Sequence, residues 1–428
     1  MRILHFPTRY FPAISGAELY FQRISEILSR IYECIIEIYC SNALDFSALT
    51  TQKGKRITTE NMYFKKVNNL TINRIPIKYN QTLDEQISFI KKFPSYESLS
   101  ISREILELFL KNGPNISEIL NYFEKENEMK YDLIHSTYLP YLNNLISLVL
   151  GKMYNIPTVC TPFFHFANQR YKNPFYFKLL KKFDMIICCT SLEKRYLIKN
   201  GVKSEKIEIV PMGIDLEYYE KCNKINFKRT FFGKKQQNFP MIFFCGNKNF
   251  EKGAISLLKA IPLILKKKKK VIFTFIGPST EAFNRESKKV KKLKNKFIVN
   301  LSPSNLKGYF DIKKISAFRE CDIYVMPSRS DAFGISFLEA WVFKKPVIGA
   351  NIGSTPEVID NGKNGLLVEF DNTEDICSKI VYLLKNKKYA KQIGKAGYQK
   401  IKDKNYLWSH ISEKIFKIYN KLIEGNNS

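Results

Sequence analysis

Residues 327–357 read PSRSDAFGISFLEAWVFKKPVIGANIGSTPE. The stretch holds two carboxylates, Asp331 and Glu339, with seven residues between them, and a Phe-Gly pair (Phe333, Gly334) just after the first. An apolar run before it, Asp322–Met326, reads as a strand. A helix-like run follows Gly334, then a second strand at Pro346–Ala350, a turn at Gly353 and a third acid, Glu357. Strand, loop, helix, strand is the repeat of a parallel sheet with right-handed crossovers. Ligands of such sheets sit outside the carboxyl ends of the strands. The loop chemistry suits a phosphorylated, hydroxyl-rich ligand. Gly334 lets backbone approach closely. The helix start after it offers unpaired N–H donors and the positive end of a dipole. Ionised acids accept several hydrogen bonds, as sugar and ribose hydroxyls require.

The same alternation continues on either side. Strands are expected at Met241–Cys245, Val271–Ile276, Phe297–Asn300 and Gly365–Val368, with helices between them. The first half begins with a buried-type strand at Arg2–Phe6, a turn-rich loop with Pro7, Pro12 and Gly16, a helix from Ala17 to Tyr32 and a strand at Ile35–Cys40. Residues 80–130 read as inserted helices. Strands follow near Leu133–His135, at Thr158–Thr161, Met185–Cys189 and Ile207–Val210, with a helix near Tyr141–Lys152. Residues 217–238 are polar and lack a sustained apolar repeat, which suits an interdomain linker. The segment Tyr406–Ile423 reads as an amphipathic helix with Trp408, Ile411, Ile415, Ile418 and Leu422 at core spacing. The fold class is therefore α/β: two Rossmann-like, doubly wound parallel-sheet domains over 1–220 and 221–405, and a final helix over 406–428.

At 428 residues the chain is long for one domain, and 45% hydrophobic residues is enough to fill two cores. A net charge of +29 favours anionic partners: nucleotide sugars, acidic lipid headgroups or nucleic acid. The nine cysteines form no CxxC pair, and Cys188 and Cys189 sit in an apolar run, as reduced core residues do. The opening MRILHFPTRY is too short an apolar stretch for a secretory signal, and no run reaches the roughly 18 apolar residues of a membrane span. The expected location is the cytoplasm, in solution or on a membrane face. Two basic segments bear on that second option. Tyr171–Phe183 interleaves aromatic residues, Leu and Lys, and Lys266–Lys270 is a run of five lysines.

Two further clusters fit a phosphate-binding cleft. Gly246-Asn247-Lys248-Asn249-Phe250-Glu251-Lys252-Gly253 follows a strand and opens a helix, with Lys252 placed to meet a diphosphate. Ser15-Gly16-Ala17-Glu18 lies in the first loop, where Ser15 also suits a helix N-cap. His165, one of four histidines, follows a strand end. A lone histidine there is more often structural than catalytic. Ser191 and Glu193 open a helix after a strand, with capping the simplest reading of Ser191.

Taken in order, these clusters resemble the retaining, family 4 glycosyltransferases (glycosyl transferases group 1) of GT-B fold. The family pattern is Pro-Ser-x-x-Glu-x-Phe-Gly, a second Glu eight positions after the first, then a Gly-rich turn and another Glu. Here Asp331 stands for the first Glu, and Ser354 for the second Gly of the turn. In the loop before Lys252 the family's Arg is replaced by Asn247, with Lys248 as a substitute charge. In the first loop Gly16 and Glu18 match and Ser15 replaces a Gly.

The resemblance implies two domains facing a central cleft and a sugar transferred from a nucleotide-diphosphate donor to an acceptor hydroxyl. It implies retained configuration, no cofactor and no obligatory metal. The implied catalytic residues are His165, Asp331 and Lys252. The implied donor contacts are Gly16, Gly246 and Lys248, together with Lys252, Asp331, Phe333, Gly334, Glu339 and Glu357. Glu339 would hold the ribose, Asp331 the sugar, and Gly16 would reach the phosphates on domain closure. A glycan or lipid-linked acceptor and an anionic membrane surface are the implied partners. Two other readings stay open: a GT-B nucleotide-sugar epimerase, which needs no acceptor, and a basic nucleic-acid binder, for which the chain shows no recognisable module. The Asp331 and Asn247 departures also fit a relative that binds without catalysing.

Overall fold

The computed structural model describes residues 1–58, 63–125, 131–166, 168–293 and 297–427. They form two compact units. One comprises Met1–Phe164, Gln169–Pro211 and Trp408–Ser428; the other comprises His165–Asn168 and Met212–Leu407.

The first unit is built on β1 (Arg2–Pro7), β2 (Ile35–Ser41), β3 (Tyr63–Val67), β4 (Leu70–Ile75), β5 (Leu133–Thr137), β6 (Thr158–Thr161), β7 (Met185–Cys188) and β8 (Ile207–Ile209). Their order is β3-β4-β2-β1-β5-β6-β7-β8. All neighbours pair in parallel except β3 on β4. The β3–β4 hairpin was not expected from the sequence. Its polar residues, such as Lys65 and Lys66, hide the alternation that marks a strand. The insertion at 80–130 is helical as read, with helices Leu83–Lys91, Pro94–Ser98, Arg103–Asn112 and Ile119–Lys125; residues 126–130 lie outside the described residues.

The second unit holds β9 (Met241–Cys245), β10 (Ile272–Ile276), β11 (Ile298–Leu301), β12 (Ile323–Met326), β13 (Val347–Ala350) and β14 (Leu366–Val368). Their order is β11-β10-β9-β12-β13-β14, all parallel. Both sheets are thus doubly wound. The strands themselves are buried on both faces; β9, β10, β12 and β13 have no exposed residue.

The stretch 217–238 is not a loose linker. It contains the helices Leu216–Lys221 and Phe227–Phe232, and both belong to the second unit. Three aromatics overcome the polar composition: Tyr219, Phe227 and Phe232 are buried, and the backbone N–H of Phe227 donates to Glu320 at 2.8 Å. The membrane reading of Tyr171–Phe183 is also corrected. Its apolar side chains Tyr176, Phe177, Leu179, Leu180 and Phe183 are buried in the first unit, so that face has no surface to offer a bilayer.

The helix Trp408–Asn427 packs in the first unit, with Phe416 stacked on Tyr32 at 4.3 Å. Its buried stripe is Trp408, Ile411, Ile415 and Tyr419; Ile418 and Leu422 are only half-buried. Tyr419 enters a buried polar chain. Its hydroxyl meets His5 Nε2 at 3.1 Å and His135 Nδ1 at 2.5 Å, while His5 Nδ1 meets Ser25 and His135 Nε2 meets Thr161. Burial holds both imidazoles below their ordinary range, so both are neutral. One ring donates to the phenol oxygen and the phenol donates to the other. Tyr419→Phe strips both contacts from buried nitrogens. It is expected to cost about 2 kcal/mol in a denaturant melt, and an unchanged midpoint would show that the rings find other partners.

No helix among the described residues is long and apolar enough to cross a membrane.

Candidate functional site

In the second sheet the chain winds one way from β9 to β10 and β11, then the other way from β12 to β14. The reversal leaves a crevice outside the carboxyl ends of β9 and β12, the place where open α/β sheets bind ligands. Two loops border it, 246–253 after β9 and 327–334 after β12. They touch backbone to backbone. Gly253 has φ +74°, and a Cβ there would lie 2.2 Å from the Pro327 carbonyl oxygen. Gly253 caps the helix Ala254–Lys267, and Gly334, at φ +91°, caps Ile335–Val342. Two helix N-termini therefore open from adjoining loops, each with N–H groups suited to an anion.

The charged residues of the two loops pair with one another. Lys252 Nζ lies 2.7 Å from Asp331 Oδ2, with the side chains 17% and 15% exposed. Beside them Arg329 grips Glu251 through Nε at 2.7 Å and Nη2 at 2.6 Å. Its guanidinium is flanked by the Phe250 and Phe370 rings. This fork-to-fork pair holds the Lys252 loop at a fixed distance from the Asp331 loop. Sequence reasoning missed it, although Glu251 adjoins Lys252 and Arg329 lies within the acidic block. Ser354, where a Gly was expected, donates its hydroxyl to the Asp331 carbonyl at 2.6 Å. The substitution thus adds a tether to the same loop.

His165 groups with this unit. Its Nδ1 lies 3.3 Å from the Ser330 carbonyl oxygen, one residue from Asp331. Burial and then the Lys252 charge pull the imidazole down to about 4. The ring is neutral at ordinary pH. With Nδ1–H donating to Ser330, Nε2 is an acceptor nitrogen.

Glu339 is more enclosed than the sequence implied. The residue is 1% exposed, and Oε1 accepts from Lys314 Nζ at 2.7 Å and from Tyr219 at 2.5 Å. Lys314 also lies 3.4 Å from the centre of the Tyr309 ring. The carboxylate that the resemblance implies as a ribose contact is a buried hub. Lys314 and Tyr219 gave no signal in the sequence, because their importance comes only from meeting Glu339.

The remaining sequence-predicted residues divide. Phe333 is buried on Tyr406, and Glu357 sits in the helical turn Thr355–Val358 after the Ser354 tether. Gly246 ends β9, with its N–H on the Ile276 carbonyl at 2.9 Å. Lys248 corrects an expectation: it is fully buried, and Nζ donates to Asn300 and to the Leu301 carbonyl at 2.8 Å. Its charge braces β11 and does not replace the missing Arg at the loop surface. Gly16 belongs to the first unit, as the first residue of the helix Gly16–Ile31. Ser15 occupies the N-cap position but spends its hydroxyl on Glu18, which is itself ion-paired with buried Arg9 at 2.8 Å.

Glu193 is a further buried acid in the first unit. Its oxygens accept the Phe164 and Cys189 backbone N–H groups, each at 2.9 Å, so it holds the residue before His165 to the end of β7. Burial pushes its carboxyl up to about 7. Since this folded value lies above the unfolded 4.5, the fold holds the proton more tightly, and that stabilisation is lost as pH rises through 7. Glu193→Gln removes the dependence. The stability gap between variant and wild type is expected to change by about 3 kcal/mol between acid and mildly alkaline denaturant melts. The grip on Phe164 runs the other way, because only the ionised carboxylate accepts both N–H groups. A gap that does not vary with pH would refute the assignment.

Comparison with known proteins bears on the family and the fold. The profile of glycosyl transferases group 1 matches residues 227–400, and that of glycosyltransferase family 4 matches residues 94–218. An uncharacterised glycosyltransferase of Methanocaldococcus jannaschii is 29% identical over 350 residues, covering 78% of this chain and 89% of the relative. A D-inositol 3-phosphate glycosyltransferase of Corynebacterium jeikeium is 23% identical over 319 residues, covering 70% and 74%. Among solved structures, sucrose-phosphate synthase from Thermosynechococcus elongatus aligns with a TM-score of 0.71 at 15% identity, over 99% of this chain and 100% of that one. The Anabaena protein HepE in complex with UDP and glucose aligns with a TM-score of 0.70 at 15% identity, over the same shares. With profiles matched in both halves, relatives along most of its length and two doubly wound sheets, the chain is a glycosyltransferase and belongs to the group 1, family 4 glycosyltransferases of GT-B fold.

Proposed function

We propose that the chain moves a hexose from a nucleotide-diphosphate sugar to an acceptor hydroxyl with retention of configuration. The observation that carries this reading is the Lys252–Asp331 pair, set between two helix N-termini at the switch point of the second sheet. Lys252 and the helix ends take the diphosphate, where charge grows as the donor bond breaks. Asp331, with the backbone of Phe333 and Gly334, holds the sugar, and Glu357 is a further donor contact. The neutral His165 offers Nε2 to a sugar hydroxyl. Glu339 shapes the nucleoside end through Lys314 and Tyr309. In this reading the C1–O bond to the diphosphate breaks as the acceptor oxygen bonds to C1 on the same face. The acceptor proton passes to the departing phosphate oxygen. No protein nucleophile and no metal take part.

UDP is the first base to try, since the HepE structures hold UDP and UDP-glucose. A glycan or lipid-linked acceptor carrying negative charge suits the +29 net charge, and the C. jeikeium relative is named for a phosphorylated polyol. The test is a thermal-shift and nucleotide-release screen of UDP-, GDP- and ADP-sugars. One series is expected to raise the melting temperature and to release nucleotide diphosphate slowly, and Lys252→Ala is expected to do neither. A wild type that responds to none of the three overturns the donor site.

A further inference from the structure

The five-lysine run, which the transfer reaction leaves unused, borders an apolar groove on the second unit. The cavity has a volume of about 430 Å³ and lies between the helices Ala254–Lys267 and Glu281–Leu293 and strand β11. Ile261, Leu265, Phe297 and Ile298 line it, and Lys266 and Lys269 stand at its rim. Lys266, Lys267, Lys269 and Lys270 are exposed, as are Arg285, Lys288 and Lys289 on the neighbouring helix. Phe297 and Ile298 are half-buried, so the edge strand β11 shows apolar surface beside the lysines. An aliphatic slot under a cationic rim matches a hydrocarbon chain that ends in a negative group. Long lysine stems can follow the chain while their ammonium heads stay at the polar level.

We propose that this groove docks the enzyme on an anionic membrane surface, with a lipid acyl chain in the slot and its phosphate headgroup between Lys266 and Lys269. The lysine run supplies attraction at the surface, and the slot gives it a fixed address. Attraction from net charge alone would be spread over the whole molecule, since lysines are plentiful on other faces. The inference does not depend on the donor reading, because it concerns residues outside that crevice.

The experiment is flotation of the full chain with vesicles of phosphatidylcholine alone or with about one third phosphatidylglycerol, at physiological salt. The wild type is expected to bind only the anionic vesicles. Lys266→Gln with Lys269→Gln is expected to weaken partitioning about thirtyfold, at about fivefold per lysine near an anionic surface. Lys388→Gln with Lys391→Gln removes the same charge from exposed positions on the helix Lys387–Asp403 and is expected to change it less than twofold. Ile298→Asp is expected to weaken binding with every lysine intact. Melting curves of all variants report folding, and the lysine comparison stands even if Ile298→Asp does not fold. Failure of the wild type to bind anionic vesicles overturns the proposal. So does an equal loss in the two lysine pairs, which would reduce the effect to bulk charge. A folded Ile298→Asp that binds as the wild type does would empty the slot of its role.

Discussion

Lys252→Ala is expected to lower nucleotide release and transfer by about 10²–10³-fold while leaving the protein folded. Lys252 is the one loop cation whose ammonium faces an acid of the crevice instead of a structural partner. Lys248 is committed to Asn300 and the Leu301 carbonyl, and Arg329 to Glu251. With Asn247 in place of the family's Arg, no other loop charge takes over when Lys252 is lost. The stability effect is expected to be about 1–3 kcal/mol, because the pair is largely enclosed and Asp331 loses its ion partner. Lys252→Arg retains charge but changes reach, and it is expected to recover part of the rate. Activity within threefold of wild type in Lys252→Ala would remove this lysine from the chemistry.

Glu339→Ala is expected to fail differently, through the fold. The carboxylate is 1% exposed and its partner Lys314 is 7% exposed, so the truncation leaves a buried ammonium without its counter-charge. Breaking one side of such a pair costs about 3–5 kcal/mol. Tyr219 loses its acceptor as well. For a unit of this size the melting temperature is expected to fall by roughly 10 °C. The sequence pattern alone suggests that this variant stays folded and loses the ribose contact; the burial of Glu339 adds an expected loss of stability. Lys314→Met with Glu339→Gln separates the two effects. It removes the charge and the counter-charge together and keeps a carbonyl for Tyr219, so stability is expected to return to within about 1 kcal/mol. Donor binding is expected to remain weak. A Glu339→Ala protein that melts with the wild type would show that Lys314 finds another partner.

Much of the architecture was legible because strands buried on both faces are short apolar runs punctuated by Gly and Pro. Thr158–Thr161 and Met241–Cys245 stand where the sequence put them. What failed did so for identifiable reasons. The β3–β4 hairpin carries a polar face, and polar 217–238 hides three aromatics that bury only because other segments come to meet them. The candidate site was legible as a set of loops, since Asp331, Phe333, Gly334 and Lys252 lie in patterned stretches. Its wiring was not. Arg329 meets Glu251 from 78 positions away, Lys314 meets Glu339 from 25, and Glu193 reaches Phe164 from 29. No local propensity encodes such pairs. The same distance makes Lys248 misleading, because a lysine in a glycine-rich loop looks like a phosphate ligand until β11 is seen beneath it.

Tyr419 lies on the final helix and completes the hydrogen-bonded centre of a unit whose earlier part ends at Pro211. During synthesis roughly 200 residues must be made between the two, about 10–40 s at ordinary elongation rates. For that interval His5 and His135 lack the phenol that joins them. The second unit, contiguous from Met212 to Leu407 apart from four residues, is nearly all available before then. The half of the protein that leaves the ribosome first is thus the half that finishes last, and nascent chains stalled short of Tyr419 expose an unfinished core to chaperones and proteases.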